Sequence, residues 1–255
     1  MKHAWNWQER LRAATIHLGL SIGVALLAAL LVFIEWYPYP YREISGGREL
    51  FILLTSVDVV IGPLITFAIF NRAKPWRELK RDLAIVGVLQ LSALIYGLHT
   101  VYLARPVHLV FEIDRFRVVA AADIPEDALS KTPPGVDALP LFGPTLLAVR
   151  PFRDSVERSD FTFIAVRGIS LSAQPALWEP YDNARDRVKT AARPLEALTK
   201  RFPQRSAQID ALLASAGRGG KPTVWLPLAG RKTFWTVFID PATAEPVAFM
   251  PLDSF

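Results

Sequence analysis

The chain has 255 residues, 51% of them hydrophobic, with 29 Lys and Arg against 24 Asp and Glu. Its mean hydropathy of +0.25 is too high for an ordinary soluble protein, so membrane spans take precedence over domains. Cysteine is absent, which excludes disulfides and thiolate-held metals and leaves any exported domain to be stabilised by packing alone.

Three apolar windows stand in the first 103 residues, at 13–35 (AATIHLGLSIGVALLAALLVFIE), 50–70 and 83–103. Each is about 20 residues long, enough at roughly 1.5 Å rise per residue to cross a hydrocarbon layer of about 30 Å. The first is predicted to be a retained span rather than a removable signal. It is longer than a signal core, no A-x-A site closes it, and WYPYPY follows it directly. Trp36, Tyr37, Tyr39 and Tyr41 suit one membrane boundary, and Trp5 and Trp7 suit the other. Lys2, Arg10 and Arg12 precede span one, and Arg72, Lys74, Arg77, Lys80 and Arg81 separate spans two and three. Only Arg42 and Arg48 lie between spans one and two. Basic loops stay cytoplasmic, so the N-terminus and the 71–82 loop are expected inside, and everything after residue 103 outside. These basic loops account for the pI of 9.6 without any nucleic acid partner.

Residues 104–255 are long enough for one exported domain. VHLVFEID alternates as a strand, RFRVVAA continues after an Asp114-Arg115 turn, and 121–144 reads as a long irregular connection. TLLAVRPF is a strand candidate, while the period of DFTFIAVRG does not separate strand from helix. From Asp182, apolar residues at 184, 188, 191, 195 and 198 predict a helix that Pro194 kinks or restarts. A second helix covers 204–216 and ends at Gly217. The tail from Thr223 reads as three strands joined by AGRK and DPATAE turns. The expected class is three N-terminal transmembrane helices (residues 1–103) followed by an α+β periplasmic domain (104–255) with an antiparallel sheet.

Catalytic signatures are missing. His3, His17, His99 and His108 do not pair at ligand spacing, AGRGGKPT fails the phosphate-loop pattern at both ends, and no G-x-S-x-G occurs. No enzyme activity, cofactor or metal is therefore expected. Asp154, Glu157 and Asp160 read as a solvated face. Trp178 and Tyr181 in LWEPYD either present an aromatic surface to a partner or pack the entry of the following helix.

The spans carry more information. Thr55, Asp58, Gly62 and Thr66, at steps of 3, 4 and 4, form a small, polar stripe on span two. Gly87, Gln90, Ala93, Gly97 and Thr100 do the same on span three, and span one carries Gly19-x-x-x-Gly23. Asp58 is expensive at mid-bilayer, at about 2.5–3.5 kcal/mol on insertion scales. Pro63 has no N–H to give the carbonyl of Val59, which leaves an acceptor beside Asp58. Gln90 and Tyr96 lie at comparable depth on span three. Internal helix packing, docking of a partner helix and a proton path all remain open for Asp58.

With these residues laid out, nearly the whole chain resembles the TfpX/TfpZ-type type IV pilin accessory proteins. The resemblance rests on ATIHLGLSIGVALLAALLVFIEWYPYPY, on SVDVVIGPLITFAIFN, on YGLHTVY with the following DRF, and on LPLAGRK with TVFIDPATAEPVAFMPL. Asp58, Gly62, Pro63, Tyr96, Gly97, Asp114 and Arg115 carry its pattern. It implies a non-enzymatic bacterial inner-membrane protein with a periplasmic domain, acting on a cognate type IV pilin as chaperone or modulator of assembly and surface piliation. Partners implied are the pilin's membrane helix and periplasmic head, with other pilus assembly components and the lipid bilayer. The spacing data also admit a membrane-anchored periplasmic sensor signalling through a separate partner, and an intramembrane enzyme or ion carrier.

Overall fold

The computed structural model describes residues 6–255; Lys2, His3 and Trp5 lie outside the described residues. The chain forms two compact units. One takes residues up to Glu35 together with Gly47–Leu103, and the other takes Trp36–Gly46 together with Ala104–Phe255.

The first unit holds three helices long and apolar enough to cross a membrane. Span one is α1 (Trp7–Leu30) continued by a π-helical turn, Leu31–Trp36. A short helix, α2 (Tyr41–Ile44), belongs to the second unit. Span two is α3 (Gly47–Ser56), a π-helical segment Val57–Ile61, and α4 (Gly62–Ile69); span three is α5 (Trp76–Leu103). Leucine, isoleucine and valine on most faces leave the helices exposed, as expected of a chain whose solvent is lipid. Arg10 is an exception, 9% exposed. Its guanidinium donates to the carbonyls of Phe67 (3.0 Å) and Ala68 (2.6 Å), in the last turn of α4. Those carbonyls have no intrahelical partner, and the negative end of the helix dipole favours a cation there.

The second unit is an eight-stranded sheet with helices. β1 (Pro106–Glu112) and β2 (Arg115–Ala120) form the predicted hairpin. After the irregular 121–144 connection come β3 (Thr145–Val149) and α6 (Ser155–Val166). α6 resolves the ambiguity of DFTFIAVRG in favour of helix. Two of the carboxylates read as a solvated face cap it: Asp154 accepts from the Glu157 amide at 2.8 Å, and Glu157 accepts from the Arg153 amide at 2.6 Å. Arg150 pairs with Glu157 at 2.7 Å and holds that carboxyl down to about 2. β4 (Trp178–Pro180) is followed by α7 (Arg185–Ala191), β5 (Arg193–Pro194), α8 (Leu195–Arg201) and α9 (Ser206–Ser215). Pro194 thus restarts the helix. β6 (Val224–Ala229), β7 (Phe234–Ile239) and β8 (Pro246–Met250) close the fold as predicted.

The strand order is β4-β3-β1-β2-β6-β7-β8, with β5 on β6. The sheet is mixed, which corrects the expectation of an antiparallel one: β1 runs parallel to β3, and β2 parallel to β6. Short turns force antiparallel neighbours, as in β1–β2 and β6–β7–β8. The long 121–144 connection and the helices before β6 bring the chain back in the same direction.

Two buried features were not foreseen. His108 is fully buried, with Nδ1 2.7 Å from the Thr145 hydroxyl and Nε2 3.0 Å from the Ala138 carbonyl. Because that carbonyl can only accept, Nε2 carries the proton and Nδ1 accepts from Thr145. Burial pushes the imidazole down to about 4. The unfolded imidazole titrates near 6.5, so between those values the unfolded chain binds the extra proton. Stability is therefore full above pH ~6.5 and falls as pH drops, by about 2 kcal/mol between pH 7 and 5. The stability that the depressed Glu157 contributes is lost lower, as pH falls from its unfolded value near 4.5 toward about 2. Urea titrations at the two pH values are expected to show this loss, and His108→Gln, which keeps a donor and an acceptor but cannot titrate, is expected to flatten it.

The second feature is the loop between spans one and two. Ile44 is fully buried in one core cluster with Phe111, Phe116, Leu228 and Trp235. Tyr37 is fully buried as well, and Tyr41 packs on Phe249 with ring centroids 6.0 Å apart. Burial raises both phenols, Tyr41 to about 12. Of the aromatics expected at the boundaries, Tyr37 is therefore a core residue and half-buried Tyr41 packs against the core, whereas Tyr39 and Trp7 are exposed.

Candidate functional site

Span two packs against both of the other spans. On span one, Ala13, His17, Ser21, Ala25, Ala28 and Val32, at steps of 4, 4, 4, 3 and 4, form a buried to half-buried face of mainly small residues. His17 Nδ1 lies 2.5 Å from the Thr66 hydroxyl. Gly19 and Gly23 point elsewhere, with open space where a Cβ would stand. Span three meets span two at Gln90 and Gly97, and buries Leu79, Val86 and Val101 along its length. A Cβ on Gly97 would strike Leu54, and one on Gly62 would strike the Gln90 amide. These two glycines exist to let the helices approach.

Gln90 Nε2 donates 3.1 Å to the backbone carbonyl of Asp58. The π-helical register explains why. An α-helix would look to Pro63 for an N–H to Val59, but in the i→i+5 register the missing N–H belongs to the carbonyl of Asp58. The orphaned acceptor is thus one residue earlier than an α-helical count gives, and span three satisfies it.

The Asp58 side chain is treated differently. Its Oδ1 is buried without a hydrogen-bond partner. Thr55, one turn away, donates its hydroxyl to the Phe51 carbonyl at 2.9 Å. Asp58, Thr55 and Gln90 line a cavity of about 200 Å³ with Ser21 and Ala25 of span one and Leu94 of span three. A second cavity, of about 570 Å³, runs toward the basic loop between Arg12 and Ile16 of span one and Leu83 and Gly87 of span three, with Arg72 beside it. His17 and Leu20 line both. Together they form a groove between spans one and three with span two as its floor.

Of the residues singled out in the sequence, the structure brings together Thr55, Asp58, Gly62, Pro63 and Gln90, with Gly97 further along the same helix contact. Tyr96 is 74% exposed and lies about 200° around the helix from Leu94, away from the groove. Asp114 and Arg115 form an ion pair of 2.8 Å at the tip of the first hairpin, on the surface of the second unit. Trp178 and Tyr181, considered for a partner-facing surface, are core residues instead. Trp178 Nε1 donates to the Ser172 carbonyl at 2.8 Å, and the Tyr181 hydroxyl donates to the Ala244 carbonyl. Their polar tips are satisfied inside the fold, which suits aromatic packing. His17 and Arg10 were the polar contacts that spacing alone did not single out.

A membrane-anchored protein with three packed spans and a mixed-sheet domain is the class this architecture defines. Residues 5–46 match the model of a family described as fimbrial assembly protein FimB. Over 240 residues the chain is 38% identical to the fimbrial assembly protein of serogroup I from Dichelobacter nodosus, covering 92% of this chain and 93% of that one. The serogroup E1 protein of the same organism is 37% identical over the same shares. The serogroups C1 and C2 protein is 46% identical over 127 residues, 49% of this chain and 97% of its own length. The chain belongs to this family of fimbrial assembly proteins, in keeping with its resemblance to type IV pilin accessory proteins. No solved structure matches it.

Proposed function

We infer that the protein is a non-catalytic accessory factor of type IV pilus biogenesis in a bacterial inner membrane. Its N-terminus and basic 71–82 loop face the cytoplasm, and its second unit is periplasmic. It receives the membrane helix of the cognate fimbrial subunit in the groove between spans one and three, while the outer domain meets the subunit's head. The groove carries the reading: two helical walls and a floor, lined mainly by small and apolar residues around the Asp58 carboxyl and by Glu9, Arg12 and Arg72 at the end near the basic loop. The relatives' shared name as fimbrial assembly proteins supports the process. The incorporation of residues 36–46 into the second unit supports the topology, since both segments of that unit must then lie on one side of the bilayer.

Deleting the gene tests the reading. Surface fimbriae are expected to fall, with recovery on complementation. Unchanged surface fimbriae and unchanged total subunit would overturn it.

A further inference from the structure

Among the described residues that line the groove, Asp58 is the one with a buried side-chain oxygen that has no hydrogen-bond partner. Its neighbours are committed elsewhere. Gln90 Nε2 serves the backbone carbonyl of Asp58, the Thr55 hydroxyl serves Phe51, and His17 Nδ1 meets Thr66. Oδ1 is buried and makes no hydrogen bond, while the half-buried Asp58 side chain as a whole lines a cavity of about 200 Å³. Hydrocarbon cannot supply the missing bond, and an unmet polar group there is costly.

The groove sets the size of what could supply it. From Arg12 to Ala25 its span-one wall covers 14 residues, about 20 Å of helix. An acyl chain would cover the apolar walls but leave the Asp58 carboxyl unmet. A transmembrane helix covers the walls and can bring a side chain to it. Deepening the reading above and resting on it, we propose that the occupant is a single membrane helix bearing a polar, hydrogen-bonding side chain at mid-span. That side chain pairs with the Asp58 carboxyl as the helix enters the groove. Asp58 then selects the partner's register as well as its identity, because a polar group one turn away would be left in hydrocarbon.

The test uses the full-length protein in its own membranes, with a photocrosslinking residue at Leu94 in the groove wall and, as control, at Ile85, which is 52% exposed and outside the groove lining. The probe is the cognate fimbrial subunit, detected by immunoblot. Adducts are expected from position 94 and not from 85. Asp58→Leu is expected to lower them roughly threefold to fifteenfold, the range of one interhelical hydrogen bond, whereas Asp58→Asn retains them. Yields are normalised to the amount of inserted protein, and Asn, which keeps the shape and the hydrogen-bonding capacity, separates loss of the contact from loss of the fold. Adducts indifferent to Asp58→Leu would overturn this inference and leave the groove reading standing. No subunit adduct from position 94 in the otherwise unaltered protein, including capture of lipid or of a second copy alone, would overturn both.

Discussion

Gly62→Ala is expected to destabilise the membrane unit by about 1–3 kcal/mol, the usual cost of overpacking a close contact. The added Cβ lands on the amide at the end of the Gln90 side chain, which its hydrogen bond to the Asp58 carbonyl holds in place. Gln90 must then move, and its 3.1 Å bond to the Asp58 carbonyl goes with it. Steric and hydrogen-bond losses therefore come together, at the point where the π-helical register and Pro63 have already removed the backbone donor. Gly87→Ala is the control, because nothing lies near its Cβ. Thermal aggregation in detergent is expected to begin earlier for Gly62→Ala and to be unchanged, or slightly delayed, for Gly87→Ala. The double variant Gly62→Ala with Gln90→Ala should recover the steric part only. Equal stability of the two single alanine variants would contradict this packing.

Ile44→Ala is expected to cost about 2–4 kcal/mol, although it lies some 60 residues upstream of the rest of its unit in sequence. Ile44 is fully buried, and its side chain and carbonyl crowd Gly230, whose Cβ would come within 2.7–2.8 Å of them. Truncation leaves a cavity in a cluster that includes Phe116, Leu228 and Trp235. A fragment of residues 104–255 lacks that plug altogether. It is expected to unfold at lower urea than the same fragment joined to residues 36–46 by a flexible linker. Matching midpoints for the two fragments would contradict the assignment of the loop to this core.

How far the sequence reveals this protein depends on how local each cause is. The spans are legible because lipid imposes long apolar windows, and β1 is legible from its alternating apolar residues, although the structure buries both of its faces. The stripe Thr55–Asp58–Gly62–Thr66 is legible because helical spacing brings these residues to one face. The orphaned carbonyl was misplaced by one residue, since only the structure reveals the π-helical register at Val57–Ile61. The sheet was read as antiparallel because its turns are visible, whereas the direction of β3 and β6 depends on long connections. Tyr37 and Ile44 look like boundary residues in any window, and their partners in the core lie far along the chain. Trp178 and Tyr181 gave the same composition signal for a surface as for a core, and only burial separates them.

The groove is the central claim, and blocking it is the most direct test. Ser21 lines the cavity beside Asp58, and Ser21→Phe would fill space the protein's own helices do not use. The account predicts that this variant inserts and accumulates like the unaltered protein but fails to restore surface fimbriae to a deletion strain. Full surface fimbriation by an accumulated Ser21→Phe protein would contradict it.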